Sequence, residues 1–186
     1  MRKFVLFLFV VLFGTFTLFG QSVDSQTRKY WISASLGHFQ TVKSVEGAIW
    51  GIDVNMLKYK TLLKVRFTEC SEIGPFLNQP EEKYHNGSLM VGKGLYKKYF
   101  QLSLSVGIGL TKGVIRGDFI SGSEVGLFGS DLYKKESFLS PSIPIELELS
   151  FIPLKQISLA TSFFVDLNLK NPMYGFLMKC SLGKMR

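Results

Sequence analysis

Cysteine, alanine and histidine are scarce in this chain of 186 residues, which has two cysteines, three alanines and two histidines. Two cysteines exclude a disulfide-framework miniprotein, and no cysteine spacing suits a zinc site. Near-absence of alanine beside 18 glycines and 17 phenylalanines disfavours a helical bundle and favours strands and turns. A hydrophobic fraction of 46% excludes a disordered tail, and the length suits one domain of moderate size. No P-loop and no dinucleotide fingerprint occurs; Gly92-Lys93-Gly94 and Gly107-Ile108-Gly109 read as strand glycines facing a tight interior.

The N-terminus is built differently from the rest. Met1-Arg2-Lys3 is a basic head, Phe4 to Phe13 is uninterrupted apolar sequence, and Gly14 to Ser22 turns small and mixed. This is the plan of a secretory signal peptide over residues 1–22. Cleavage after Ser22 places Gly20 at the −3 position, and cleavage after Gly20 is the alternative. The apolar run falls short of the roughly 20 residues a spanning helix needs. Six of the 17 phenylalanines lie in this segment, and losing Arg2 and Lys3 lowers the formal charge of +8 by two. No apolar run long enough for a membrane helix follows, so residues 23–186 form the mature domain.

Within that domain the hydrophobic residues recur at period two. Phe100, Leu102, Leu104, Val106, Ile108 and Leu110 share one parity, against Gln101, Ser103, Ser105, Gly107, Gly109 and Thr111. Such a stripe is a strand with one apolar face. The same division recurs over Pro141 to Ile152, Ile157 to Leu169 and Tyr174 to Gly183, where Phe164 and Leu177 break the pattern. Weaker versions cover Tyr30 to Phe39, Gly47 to Leu57, Thr61 to Cys70 and Tyr84 to Tyr96. Eight strands result. Tight connections at Lys58–Lys60, Lys97–Lys98 and Pro153–Lys155 alternate with longer ones at Gln40–Glu46, Ser71–Lys83 and Gly113–Ser137, and Lys170–Pro172 closes the series. Short turns on one side and long loops on the other are the plan of a membrane barrel entered from an exported N-terminus.

The polar faces decide which way the stripes point. They are rich in Ser, Gly, Thr and Asn and poor in charge, which suits a narrow interior better than a water-facing wall. Aromatic residues gather near strand ends at Tyr30, Trp31, Tyr84, Tyr96, Tyr99, Phe100, Phe138, Phe151 and Tyr174, and read as interfacial girdles. The fold class expected is therefore all-β, an eight-stranded antiparallel up-and-down transmembrane β-barrel. The alternative sense, apolar residues inward, would be a soluble lipocalin-like binding barrel.

On these features the mature chain resembles the small eight-stranded outer-membrane β-barrel family, which includes OmpX-like proteins and the transmembrane domains of OmpA-like proteins. Phe151-Ile152-Pro153-Leu154-Lys155 and the ending Gly183-Lys184-Met185-Arg186 also resemble a group of small outer-membrane proteins of Gram-negative bacteria. The chain departs from many such barrels in ending on Met185-Arg186 rather than on an aromatic residue. The resemblance implies an outer-membrane location, contact with outer-membrane lipids and lipopolysaccharide, and insertion by the barrel-assembly machinery.

The inward parity carries seven charges: Asp53, Lys64, Arg66, Glu146, Glu148, Asp166 and Lys179. Charges in a space too narrow for bulk water must pair, so these are read as a lumen charge network that fixes register and plugs the barrel. The sharper alternative is a proton or ion path. Glu146 and Glu148 at i,i+2 serve such a network as well as they would serve a catalytic pair. His38 and His85 lie near outer strand ends, and no short motif ties either to a serine, so no catalytic residue is assigned. Cys70 and Cys180 fall on strands that are not neighbours in a meander, and no disulfide is expected.

No cofactor or metal is expected, and no nucleic acid either, because the basic residues follow strand ends rather than a reader motif. Lys58, Lys60, Lys97, Lys98 and Lys155 belong to the turns, where anchoring to headgroups accounts for them. The function expected is a monomeric structural or interaction-bearing surface barrel, whose loop 113–137 meets an extracellular partner. A small channel for ions or hydrophobic molecules is the second reading.

Overall fold

Alternation sorts each strand into an inner and an outer face, and the twist of the sheet together with the need to pair both edges in a bilayer favours closure. The computed structural model describes residues 28–73, 81–122 and 131–185. The segment read as a signal peptide lies outside them. Eight strands follow in chain order: β1 (Lys29–Thr41), β2 (Glu46–Lys58), β3 (Thr61–Glu72), β4 (Lys83–Tyr96), β5 (Phe100–Gly122), β6 (Asp131–Leu154), β7 (Ile157–Asn168) and β8 (Met173–Lys184). Every neighbouring pair is antiparallel, and β8 returns to pair with β1, so the order is that of a closed up-and-down barrel. Closure removes both sheet edges and satisfies the ladder hydrogen bonds within the chain.

The apolar parity faces out. Ile108 and Met178 are 71% and 76% exposed, while the intervening Ser103, Ser105 and Glu146 are almost wholly buried. This is the reverse of a soluble barrel, and it rules out the lipocalin sense of the alternation. Such an exterior has no favourable contact with water and is stable against hydrocarbon.

The two ends differ. One end carries tight turns: Tyr59-Lys60, Lys97 to Tyr99, and Lys155-Gln156. Tyr59 and Lys60 both have positive φ, 50° and 68°, which is the signature of a two-residue primed turn. The other end carries the longer connections between β1 and β2, β3 and β4, and β5 and β6. Here the structure corrects the loop expected over 113–137. Most of that segment is strand: β5 and β6 run 23 and 24 residues, against 12 to 14 for the others. They pair through Gly122↔Asp131, with register shifts around Phe119, and form a hairpin that projects beyond the barrel wall.

The expected girdle is also corrected. Tyr30, Tyr99, Phe100, Phe151 and Tyr174 face out, but Trp31 and Tyr84 are buried inside, and Tyr96 and Phe138 pack against inner clusters. Gly183 is one of the points where β8 and β1 approach closely. Its φ is +153°, and a Cβ there would stand 2.3 Å from the Tyr30 carbonyl oxygen.

Candidate functional site

The lumen is stacked in layers, and each layer is set by inward residues at one height. Near its middle, β2 contributes Asp53, β3 contributes Lys64 and Arg66, β6 contributes Glu146 and Glu148, and β8 contributes Lys179. Asp53 and Arg66 are direct register partners. The Arg66 guanidinium donates from Nε to Asp53 Oδ1 at 2.8 Å and reaches Glu146 at 2.5 Å. Lys179 Nζ donates to Asp53 at 2.8 Å, Glu146 at 2.5 Å and Glu148 at 2.9 Å. Lys64 donates to Glu146 and, at 2.9 Å, to Glu148. Ser150 Oγ donates to the remaining oxygen of Glu148 at 3.1 Å. All six charged side chains are buried.

Three carboxylates thus meet three cations, and the cluster is neutral. In a low-dielectric interior that balance is what makes burial tolerable, since one unmatched charge costs several kcal/mol. The carboxylate oxygens of Asp53, Glu146 and Glu148 lie within 4.8 Å of one another, close enough to hold a cation. The ammonium and guanidinium groups already fill that role, so no net negative charge is left to attract a divalent ion. The same pairing occupies the carboxylates of Glu146 and Glu148.

Asp166 stands apart from the six. It lies one inward position further along β7 than Phe164, which pairs with Glu146. Its Oδ2 accepts from Asn86 Nδ2 at 2.7 Å and Thr111 Oγ1 at 3.4 Å, and the Asn86 amide also approaches Ser142 Oγ at 3.0 Å. A cavity of about 20 Å³ adjoins it, lined by Arg66, Asn86 and Asp166 together with Ile49, Phe164 and Leu177. That is room for about one water. Towards the turn end Asn55 donates to Ser33 at 3.2 Å, and Ser181 donates to Ser33 at 2.9 Å.

Apolar clusters lie at both ends of this polar column. At the loop end Phe39, Ile49, Cys70, Tyr84, Ile115, Phe164, Met173 and Leu177 pack together. At the turn end Trp31, Leu57, Leu62, Ile152 and Met185 do the same. Phe164 and Leu177, the two residues that break the outward stripe, belong to the loop-end cluster. Above it runs a polar latch that the sequence pattern does not reveal. Tyr84 donates its hydroxyl proton to Glu82 and accepts from Asn171 Nδ2 at 2.7 Å. Glu82 accepts from the Arg116 amide at 3.0 Å, and the Arg116 guanidinium pairs with Glu72. These bonds tie the β3–β4 and β7–β8 connections to β4 and β5.

The remaining candidates sit elsewhere. His38 and His85 lie on the outer wall near the loop end, facing Glu46 at 3.8 Å and Glu69 at 3.7 Å. Cys70 is buried 3.8 Å from the Met173 sulfur, and Cys180 is exposed on the apolar wall; both are free thiols.

No protein-family model matches the sequence, and no curated protein does. Solved structures do match. Neisserial surface protein A aligns over 86% of this chain and 97% of its own, with a TM-score of 0.58 and 10% identity. The N-terminal β-barrel domain of Pseudomonas aeruginosa OprF aligns over 86% of this chain and 99% of its own, with a TM-score of 0.53 and 11% identity. The attachment invasion locus protein Ail of Yersinia pestis aligns over 84% and 97%, with a TM-score of 0.52 and 12% identity. At these identities the likeness is one of architecture, and it extends over nearly the whole of each neighbour. The chain has the fold of the small eight-stranded outer-membrane β-barrels.

Proposed function

We propose that the protein is a monomeric outer-membrane barrel, closed to solutes, that serves as a structural and surface-interaction element. Residues 1–22 act as the export signal and 23–186 as the barrel domain, inserted by the barrel-assembly machinery among outer-membrane lipids and lipopolysaccharide. One observation carries the reading: an apolar outer wall encloses a neutral, fully paired charge cluster held between two apolar clusters. The wall calls for a bilayer, and the stack inside it gives an ion no continuous polar route. The paired state of Glu146 and Glu148 speaks against catalysis, so the role proposed is non-enzymatic.

The projecting β5–β6 hairpin is the part placed to meet an extracellular partner, since its outer end lies beyond every neighbouring strand. It carries Lys134, Lys135 and Glu136 exposed. Fractionation of tagged full-length chain tests location, with the barrel expected in the outer-membrane fraction and showing heat-modifiable gel migration. Planar-bilayer recording tests closure: no reproducible open level is expected, and a steady unitary conductance would favour the channel reading instead.

A further inference from the structure

The charges on the two ends of the barrel are distributed very unequally. At the loop end, exposed bases are interleaved with acids; Lys83 pairs with Glu81 at 3.1 Å, and Arg116 pairs with Glu72. At the turn end every described ionisable side chain other than tyrosine is a cation. Lys29, Lys58 and Lys184 are terminal strand residues, Lys93 lies in the last turn-side stretch of β4, and Arg28 stands just before β1. Lys60, Lys97, Lys98 and Lys155 sit on the turns themselves, so each of the three hairpin turns carries at least one. Among the described residues no Asp or Glu lies at this end: the lumen holds Asp53, Glu146, Glu148 and Asp166, and the others are at the loop end.

The cations also surround the barrel instead of marking one side. They occur at the β8–β1 seam and at the β2–β3, β4–β5 and β6–β7 turns, which together span the circumference. Exposed aromatics are mixed among them. Tyr59 is 73% exposed beneath the Lys58 ammonium, 5.2 Å from its ring centre, and Lys98 lies 5.3 Å from the ring of Tyr99. The strand-end lysines adjoin the apolar wall directly: Lys184 pairs with Tyr30, and Lys93 pairs with Leu104 and Thr61.

From this arrangement we infer that the turn end is an annular binding surface for anionic phospholipid headgroups in the periplasmic leaflet. The inference rests on the membrane reading above and deepens it by naming the lipid class. A cationic ring with no acid among its described residues attracts phosphodiesters from all directions, and tyrosines at that depth suit the headgroup boundary. Continuity with the lipid-facing wall selects a membrane surface over a polymer lying across the barrel end, because the wall lysines face sideways into the leaflet. The balanced loop end has no comparable net attraction.

The test uses the full chain reconstituted into phosphatidylcholine vesicles with and without phosphatidylglycerol. The readout is the ratio of the two lipids retained on the barrel after mild detergent extraction, measured by mass spectrometry. Several-fold enrichment of phosphatidylglycerol is expected, and it should fall away in high salt as screening shortens. Replacing Lys58, Lys60, Lys93, Lys97, Lys98, Lys155 and Lys184 together by Gln should remove most of it. Replacing the loop-end Lys83, Lys112, Lys134 and Lys135 by Gln should leave it intact. Heat-modifiable migration reports that each variant is folded. A folded barrel with no enrichment, or one whose enrichment survives the turn-end substitutions, overturns the inference alone. Retention on peptidoglycan sacculi without any lipid preference also overturns it. A chain that never enters the vesicles overturns the membrane reading as well.

Discussion

Asp53 and Arg66 face each other as register partners across β2 and β3, joined by two hydrogen bonds of 2.8 and 3.3 Å. The pair is also the corner of the six-residue cluster, because Lys179 bonds the same Asp53 carboxylate. Removing one charge therefore strands others.

Asp53→Asn is expected to destabilise the barrel by about 3–5 kcal/mol, since it leaves three buried cations facing two carboxylates. Urea unfolding of the refolded protein in detergent, read by gel migration, measures it. Replacing all six charged residues with packed apolar residues of similar size should cost far less than the single change, and a larger cost would contradict the pairing argument.

Leu177 and Met178 are adjacent in β8 but face opposite ways, 1% and 76% exposed. Leu177→Ala should cost about 2–5 kcal/mol by opening a cavity in the loop-end cluster. Met178→Ala on the outer wall leaves no enclosed cavity and should cost clearly less. Equal losses in the same unfolding assay would contradict the inside-out assignment of these positions.

Gly183→Ala should cost about 1–3 kcal/mol, because an L side chain rarely adopts φ +153° and the added methyl would press on Tyr30 and Trp31 backbone. Gly87→Ala is the matched control, with its nearest contact a Phe67 ring atom at 3.4 Å. Comparable stability for the two variants would show that the β8–β1 seam is looser than described.

Much of this architecture is legible in the sequence, for an identifiable reason. Where hydrocarbon meets the wall, every outward position must be apolar, so Phe100 to Leu110 alternates without exception and fixes both strand and face. Beyond the bilayer no such demand exists. The outer parts of β5 and β6 lose the stripe there, and a loop is the natural reading of Gly113 to Ser137. Phe164 and Leu177 look like errors in the pattern because alternation records only the outward face. Their partners, Phe39 and Tyr84 among them, come from strands far away in sequence. Asp166 shares parity with the six charges, yet parity carries no height, and the register sets it one level out among neutral donors. Glu72, Glu82 and Arg116 do not stand out as a group for the same reason: they lie on β3, the β3–β4 connection and β5, and only the register of these paired strands sets them at one height.

Trp31 and Trp50 allow the central claim to be measured directly, because they are the only two tryptophans and sit on opposite faces, 5% and 51% exposed. Single-tryptophan variants, Trp31→Phe and Trp50→Phe, would be reconstituted into vesicles containing lipids brominated on the acyl chain. The inside-out barrel predicts strong quenching of Trp50 and little quenching of Trp31. Quenching of Trp31 with Trp50 spared, or no quenching of either, would contradict it.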